Sequence, residues 1–495
     1  MGTRIFLLSI LLFFCSCQKF LRENPNGFLA ADQYYKTPEQ AKAAVNGTYE
    51  GLGKIFTVDL GVSVSAVFAL EYITGYSNRP RPSGFEDDQF LRLDKIDPAN
   101  SRLQAWWAAY YKAIENCNSV IENINNTKVL DTATSRQYLG QVYFLRAWYY
   151  FQLVRLFGDV PLKTTPTKDL DNIFIPKTPM AQVYDQVVKD LDMAAASNLP
   201  WTDQSGRVSL GAVKSLLAKV YITMAGYPLQ KGKEYYIKAY EAAMEVVNSG
   251  KFELFDDYSE LRDIAKQNTR EHIFMLQRHP TEAASIIHFG YLPYPDQPIS
   301  IQPAYGGAMA PEQSFYDSYA AADKRKAEQA FFYTRYPNYS NPNSIVQLPA
   351  PFIFKFWDAL AEQTGRSGEN FPLIRYADVL LICAEARAMA DGGSTADAVA
   401  IGAYYQVRKR AMPGEQRPAI LEVDQVLKER YWELCFEFQT WFDMLRTRKA
   451  LDVPSGQIVP LLGYKAPRHI KAFTEADLKF PIPLAEIQKN PALKD

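Results

Sequence analysis

Apolar residues recur at the helical spacing of three to four positions in three blocks of the chain, about residues 37–56, 101–250 and 371–450. At the start of the first block, Thr37 can cap a helix whose first residue is Pro38. The spacing predicts helices over Leu103–Ile124, Thr134–Phe157, the segment after Thr178-Pro179, Leu210–Ala225, Glu234–Asn248, Arg375–Ala390, Ala396–Arg410 and Val423–Arg448. The chain is therefore expected to be mainly α.

Two stretches between these blocks, residues 57–100 and 251–370, lose the helical spacing. Both are rich in Tyr, Pro, Gly and Asn, and His272–Arg278 has the pattern of a short strand. Loop regions of this length inside a compact chain are more often functional than idle. We therefore expect a helical scaffold with a loop-rich part packed against it, and ligand-binding residues in the loops.

Helix pairs of similar size recur along the predicted scaffold. Leu210–Ala225 and Glu234–Asn248, for example, have the lengths and small residues of two helices that cross closely. Such pairs are typical of a tetratricopeptide-like solenoid. The repeats are degenerate, so their period alone does not establish the solenoid.

The N-terminus has a different pattern, an apolar run over residues 5–14 that follows Arg4. A basic start, an apolar core and the small residue Ser16 before Cys17 are typical of a bacterial lipoprotein signal. The run is too short to span a bilayer as a permanent helix. We predict a signal peptide over residues 1–16 and a lipid anchor on Cys17, with ordinary secretion as the alternative.

The composition argues against several classes of function. With 54 Lys+Arg and 55 Asp+Glu, the formal net charge is -1, which gives no general attraction to nucleic acid. Cys117, Cys383 and Cys435 are widely spaced, which fits buried thiols better than a disulfide framework. The sequence has no HExxH, Cys/His cluster, Walker glycine loop or GxSxG motif. It therefore singles out no metal site, no cofactor site and no catalytic motif, and we expect a protein that is not an enzyme. The sequence does not tell whether a cation such as calcium is bound.

Four segments, in order, resemble the SusD/RagB family of outer-membrane nutrient-binding lipoproteins. They are Leu145–Leu162, Pro372–Leu381 with Ala384-Glu385-Ala386, Glu429–Arg446, and Phe480–Pro483 with Glu486-Ile487 and Asn490-Pro491. The stretch from Cys17 to Gly27 also fits, so the resemblance covers nearly the whole chain. Gln18-Lys19 depart from the acidic residues that often follow the lipidated cysteine in this family.

The resemblance implies one domain over residues 17–495, with a right-handed superhelix of about four tetratricopeptide-like helix pairs and a packed loop-rich part. It also implies a role. Such proteins cover a SusC-like, TonB-dependent channel, capture a nutrient and release it into the barrel. The nutrient is usually an oligosaccharide and sometimes a peptide. The expected location is the outer membrane, lipid-anchored and facing the cell surface.

Several charged motif residues look like catalytic groups, but we interpret them as partly buried ion pairs that fix the register of the helices. They are Arg146, Asp159, Arg375, Asp378, Glu429, Arg430 and Asp443. Trp106, Trp107, Trp148 and Trp441 lie in predicted helices and are expected in the core. Phe315, Tyr319, Asp323 and Arg325 resemble a framework motif of the family and are left outside the candidate site.

The chain is rich in aromatic residues, with 31 Tyr, 29 Phe and 7 Trp, and many lie in Pro/Gly-rich loops. Sugar binding needs flat apolar faces beside hydrogen-bonding groups. The candidate ligand residues are Tyr72, Tyr76, Arg79, Tyr291, Tyr294 and Tyr305, with Tyr333 and Tyr336 as reserves. Asn78, Asp87, Asp88, Asp296, Gln297 and Gln302 are further candidate partners for sugar hydroxyls. The alternative for each ring is that it packs beneath its own loop.

Two other functions stay open at the level of sequence. A helical solenoid can serve protein–protein assembly alone, in which case a partner would cover the loop aromatics. A glycosidase would need two carboxylates flanking a cleft, and nothing singles out such a pair among the many acidic residues. The sequence does not identify the ligand.

The N-terminal motif predicts an acylated cysteine at position 17. Mass spectrometry of the mature protein should find Cys17 as an N-terminal residue that carries acyl chains. Cys17→Ala should move the protein out of the membrane fraction, because the anchor is lost. A mature end at another residue, or an unchanged membrane fraction for Cys17→Ala, would contradict the prediction.

Overall fold

The computed structural model describes residues 35–56, 58–59, 64–82, 85–168, 173–285 and 287–494. The predicted signal peptide and the predicted lipid-bearing Cys17 lie outside the described residues. No helix in these described stretches is both long and apolar enough to cross a membrane.

The long helices lie in the predicted blocks, while several short helices lie outside them. The helices are α1 Pro38–Thr48, α2 Glu50–Lys54, α3 Ala69–Tyr72, α4 Phe85–Leu91, α5 Ser101–Asn126, α6 Thr132–Phe157, α7 Met180–Ala195, α8 Leu210–Ala225, α9 Lys233–Asn248, α10 Gln313–Asp317, α11 Ala361–Thr364, α12 Tyr376–Ala390, α13 Ala398–Ala411, α14 Val423–Glu433, α15 Thr440–Thr447 and α16 Leu484–Lys489. Thr37 caps α1 as predicted, since its side chain accepts from the Gln40 amide and the Gln40 side chain reaches back.

The long helices pack on one another in chain order, α5 on α6, α6 on α7, α7 on α8 and α8 on α9. The row continues beyond the loop-rich segment, because α9 packs on α12, which in turn packs on α13 and α14. The predicted mainly α fold is therefore confirmed, and the scaffold is assembled from two blocks of sequence that the loop-rich part separates.

The strands are short and form antiparallel pairs. They are β1 Val58–Asp59 with β2 Val64–Ser65, β3 Ser77–Asn78 with β5 Ala310–Pro311, β4 His272–Leu276 with β8 Phe371–Arg375, β6 Phe332–Pro337 with β7 Ile345–Ile353, β9 Ser394–Thr395 with β10 Leu421–Glu422, and β11 Lys449–Asp452 with β12 Gln457–Pro460. The predicted strand at His272 is confirmed as β4. The β6–β7 hairpin lies in a stretch where the sequence predicted only loops.

The predicted helix over Val423–Arg448 is wrong in one respect, because the chain breaks between α14 and α15. Phe436 has φ 63° and Phe438 has φ 60°, left-handed values that interrupt a helix. Both rings are buried in the core. Their apolar character preserves the helical spacing of the sequence, which is why the break was not visible there.

A buried ion-pair network joins the scaffold to the loop-rich part. At the end of β8, Arg375 lies 2.6 Å from a Glu437 oxygen and 3.1 Å from a Glu433 oxygen. Glu433 also lies 2.8 Å from Arg410 of α13 and 3.2 Å from Arg325 of the loop-rich part. None of the five side chains is more than 6% exposed. The network therefore ties together three scaffold elements and a loop.

The charge balance of this network keeps Glu433 ionised. Burial alone would raise the pKa of the Glu433 carboxyl, but the charges of Arg410, Arg375 and Arg325 lower it to about 2. The carboxylate and its guanidinium partners thus depend on one another, because any one of them left alone would be an unpaired buried charge.

Other motif charges are paired as predicted. Arg146 lies 2.7 Å from Asp190, Arg430 lies 2.8 Å from Asp378 and 2.9 Å from Asp443, and Glu429 lies 2.7 Å from Arg325. Asp159 is the exception: it is exposed, and its carboxylate accepts from the Met180 amide at 2.8 Å, at the start of α7. The prediction of an ion pair was wrong for Asp159, which caps a helix instead.

The predicted core residues are confirmed. Trp106, Trp107, Trp148 and Trp441 are buried, as are the free thiols of Cys117, Cys383 and Cys435. One hydrophobic cluster runs from α1 through the scaffold to the C-terminal segment. A second, smaller cluster around Tyr333, Phe352 and Trp357 lies beneath the loop-rich surface.

The network predicts that Arg375→Met is strongly destabilising. The change removes the guanidinium that pairs with Glu437 and one of the three that pair with Glu433, so a buried carboxylate network loses a cation. Breaking a buried ion pair in this way should lower the free energy of unfolding by about 3–5 kcal/mol. Denaturant unfolding followed by circular dichroism measures the difference.

The matched control is Lys54→Met, which removes an exposed partner of Glu50 at 2.6 Å. That change should alter the free energy of unfolding by less than about 1 kcal/mol. Equal losses in the two variants would contradict the role given to the network.

Candidate functional site

Two loop segments, residues 79–82 and 291–307, meet on the surface of the loop-rich part. The pairing of β3 with β5 brings them together. The Arg81 amide donates to the Gly307 carbonyl at 3.0 Å, and the Gly307 amide donates to the Leu292 carbonyl at 2.7 Å. The backbone thus fixes the relative position of the two loops.

Gly307 makes this close approach possible. Its φ is +81°, and a Cβ at this position would lie 2.5 Å from the Tyr294 Cβ and 2.9 Å from the Arg81 Cβ. Any residue with a side chain at this position would therefore push Tyr294 and Arg81 away from each other.

Arg81 is the centre of the surface. Its guanidinium lies 4.6 Å from the centroid of the Tyr294 ring, a cation–π arrangement. Its Nε donates to the Gly306 carbonyl at 2.7 Å, and its Nη2 pairs with Asp296. The Arg81 side chain is 28% exposed and that of Asp296 45% exposed. One aromatic ring and one ion pair are therefore held in fixed positions and are still reachable from solvent.

Tyr305 borders the same surface. It is half-exposed, and its amide donates to the Gln302 carbonyl at 3.1 Å. Its ring lies 6.1 Å from that of Phe289, in the second hydrophobic cluster. Gln302 is half-buried, while Ile301 is 42% exposed. Tyr305 thus packs by one side and leaves part of its ring open.

The β6–β7 hairpin carries two more aromatic residues towards this region. The Tyr339 amide donates to the Pro298 carbonyl at 2.7 Å, and the Tyr339 side chain is exposed. Tyr336 is half-buried, and its hydroxyl accepts from Trp357 Nε1 at 3.1 Å. Burial raises the pKa of Tyr336, whose ring lies 4.4 Å from that of Trp357.

Four of the predicted tyrosines lie beneath the surface and present no open ring face. Tyr72, Tyr76, Tyr291 and Tyr333 are each at most 3% exposed, and burial raises the pKa of each hydroxyl. Tyr76 stacks on Phe315 at 5.0 Å and donates to the Leu451 carbonyl at 3.1 Å. These rings support the loops from below.

Several of the residues predicted to bind sugar hydroxyls are also turned inward or bonded within the protein. Arg79 turns inward and pairs with Asp87, with both side chains 4% exposed. The Asn78 amide donates to the Pro311 carbonyl at 3.0 Å. Asp88 is half-buried on α4. The Gln297 amide donates to the Pro295 carbonyl at 2.9 Å, within its own loop.

Sequence reasoning selected Arg79 and missed Arg81. Residues two positions apart in an extended segment share a face, so the alternation of a strand would not have separated the two arginines. Their partners separate them, because Asp87 pairs with Arg79 below the surface and Asp296 pairs with Arg81 at the surface. No local signal in the sequence singles out Arg81.

A buried carboxyl lies under the surface. The Glu362 carbonyl accepts from the Ile301 amide at 3.0 Å, and burial raises the pKa of the Glu362 side chain to about 8. It is therefore mostly uncharged at neutral pH. Within the described ranges, no group of three or more His, Cys, Asp or Glu side chains is placed to hold a metal ion.

Two family models match the chain. One, described as "Starch-binding associating with outer membrane", matches residues 76–222, and one described as "SusD family" matches residues 304–495. SusD-like protein P2 of Formosa agariphila is 28% identical over 538 aligned positions, which cover 98% of this chain and 97% of that protein.

Solved structures agree with the family models. A SusD superfamily protein from Parabacteroides distasonis is 35% identical, with a TM-score of 0.86 over 94% of this chain and 99% of its own. A laminarin-binding SusD-like protein, 23% identical, has the same fold, with a TM-score of 0.74 over 92% of this chain and 98% of its own. The chain belongs to the SusD family, as its four motif segments predicted.

Proposed function

We propose that this protein binds an oligosaccharide at the surface formed by Arg81, Tyr294, Asp296 and Tyr305. The observation that carries the proposal is the three-way contact of Arg81 with the Tyr294 ring, the Gly306 carbonyl and Asp296. It orients an aromatic ring and two kinds of hydrogen-bonding group before any ligand arrives. Binding then costs little further ordering of these side chains.

The chemistry of the surface suits a pyranose ring. The C–H face of a sugar packs on an aromatic ring, and its hydroxyls need donors and acceptors at the rim. Tyr294 and Tyr305 provide partly open rings. Arg81 donates and Asp296 accepts, and both are partly exposed.

Charge favours a neutral glycan over an acidic one. Arg81 and Asp296 neutralise each other, and Glu362, buried next to Ile301, is mostly uncharged at neutral pH. A carboxylated or sulfated sugar would therefore find no unpaired cation among these residues. The laminarin-binding SusD-like protein of the same fold supports a glycan as the ligand.

We propose binding without catalysis. Hydrolysis of a glycosidic bond needs two carboxyl groups placed across the bond. The carboxylate of the proposed site, Asp296, is already paired with Arg81. An oligosaccharide incubated with the protein should therefore be recovered intact.

The wider role follows from the family. We propose that the protein is held at the outer membrane by a lipid on Cys17 and passes its ligand to a SusC-like, TonB-dependent channel. The support is the apolar N-terminal segment, the outer-membrane description of the matching family model and the broad surface that a row of packed helices presents.

The proposal predicts that Tyr294→Ala combined with Tyr305→Ala weakens oligosaccharide binding at least about tenfold, because each ring contributes on the order of 1 kcal/mol. Isothermal titration calorimetry with a panel of neutral oligosaccharides that includes laminarihexaose measures the change. The melting temperature should stay close to that of the wild type, since both rings are partly exposed.

The control is Tyr227→Ala, which removes a tyrosine that is 39% exposed and lies just beyond the end of α8, outside the proposed glycan surface. It should bind as the wild type does. A double variant that keeps full affinity, or a wild type that binds no member of the panel, would contradict the proposed site.

A further inference from the structure

A separate cavity of about 150 Å³ lies in the scaffold, between the C-terminal ends of α6 and α8, the helix α15 and residues 475–479. Its wall is mainly apolar and comes from the side chains of Met180, Tyr184, Phe442, Leu445 and Leu478. It shares no lining residue with the Tyr294 surface. The cavity is therefore distinct from the proposed glycan site.

Arg155 lines this cavity and is only 9% exposed. Its guanidinium lies between two rings, 3.9 Å from the Phe151 centroid and 3.7 Å from the Phe442 centroid. Its hydrogen bonds go to neutral acceptors, from Nε to the Phe151 carbonyl at 3.2 Å and from Nη2 to the Gln152 amide oxygen at 2.6 Å. Its Nη1 is therefore still available to a ligand.

The missing partner of Arg155 is a carboxylate. Elsewhere in the described chain, the buried arginines Arg146, Arg325, Arg375, Arg410, Arg430 and Arg446 each form an ion pair. No carboxylate of the described residues forms one with Arg155, and burial lowers its pKa to about 10. A buried guanidinium without an anion is costly, so an anion that reached it would bind favourably.

Arg448 supplies a second set of unused donors. It lines the same cavity, and its Nε and Nη1 atoms are buried without a hydrogen-bond partner. Its Nη2 pairs with the exposed Glu475 at 3.1 Å. Arg446 and Lys479 also line the cavity, so the charges around it are mainly cationic, although Arg446 is already paired with Glu385.

We propose that this cavity binds a small organic carboxylate with an apolar body about the size of a benzene ring. An empty apolar cavity of about 150 Å³ is large enough for benzene. The carboxylate would accept charge-assisted hydrogen bonds from Arg155 Nη1 and from Arg448. A sugar acid fits less well, because its hydroxyls would lose water against the walls of Phe442 and Leu445.

Benzoate is the probe, used with the full-length protein. Two analogues, each of which lacks either the charge or the ring of benzoate, show what each group contributes to binding. Benzamide keeps the ring and removes the charge, while acetate keeps the charge and removes the ring. In titration calorimetry, benzoate should bind saturably at one site, and both analogues should bind at least about tenfold more weakly, as expected if ring and charge act together.

Two variants locate the site. Arg155→Met and Arg448→Met should each weaken benzoate binding about tenfold or more. Arg448 is half-buried, so its variant tests the proposal even if the Arg155 variant does not fold. Arg81→Met, in the glycan surface, should leave benzoate binding unchanged.

Three results would overturn the proposal. They are no saturable binding of benzoate at millimolar concentration, benzamide binding as well as benzoate, and a folded Arg448→Met protein with wild-type affinity for benzoate. Loss of oligosaccharide binding in the tyrosine variants has no bearing on this cavity, so the two proposals fail separately.

Discussion

Arg375, through its contacts with Glu433 and Glu437, holds the helical scaffold and the loop-rich part together. β8, which ends at Arg375, leads directly into α12, while Glu433 ends α14. The same carboxylate of Glu433 meets Arg325, which belongs to the loop-rich part. Scaffold and loops are therefore held by one set of buried charges, and neither half can shift without separating an ion pair.

The buried ion-pair network explains how the loop-rich part can present a defined surface. The loops over residues 79–82 and 291–307 have little regular structure of their own. They are supported from below by buried tyrosines, such as Tyr76 stacked on Phe315, and joined at the surface by Arg81. The residues beneath the surface supply rigidity, and Tyr294 and Tyr305 are the partly exposed rings that we propose for ligand binding.

The sequence predicted the scaffold well because local signals specify it. Amphipathic spacing and caps such as Thr37 act within a few residues, and so α1 and α8 appear where they were expected. The sequence did not predict the break at Phe436, because a left-handed φ in a buried aromatic residue leaves no mark on the spacing. It missed the β6–β7 hairpin for a similar reason, since Pro349 and Pro351 make β7 look like a loop.

Local sequence patterns do not identify which residues of the candidate site are exposed. Composition places tyrosines in the loops but does not tell which ring faces inward. Tyr76 is buried because its hydroxyl meets the Leu451 carbonyl, 375 positions away in the chain. Only the folded chain separates such supporting rings from Tyr294. Arg79 and Arg81 are distinguished in the same way, since Asp87 draws the first inward and Asp296 holds the second at the surface.

We propose that the rigid loop surface receives a neutral glycan. Hydrogen–deuterium exchange measured by mass spectrometry, with and without millimolar laminarihexaose and related neutral oligosaccharides, tests this proposal. Exchange should become slower in peptides that contain residues 79–82 and 291–307, and it should stay unchanged around α6 and α15. Protection confined to the scaffold helices, or no protection anywhere, would contradict it.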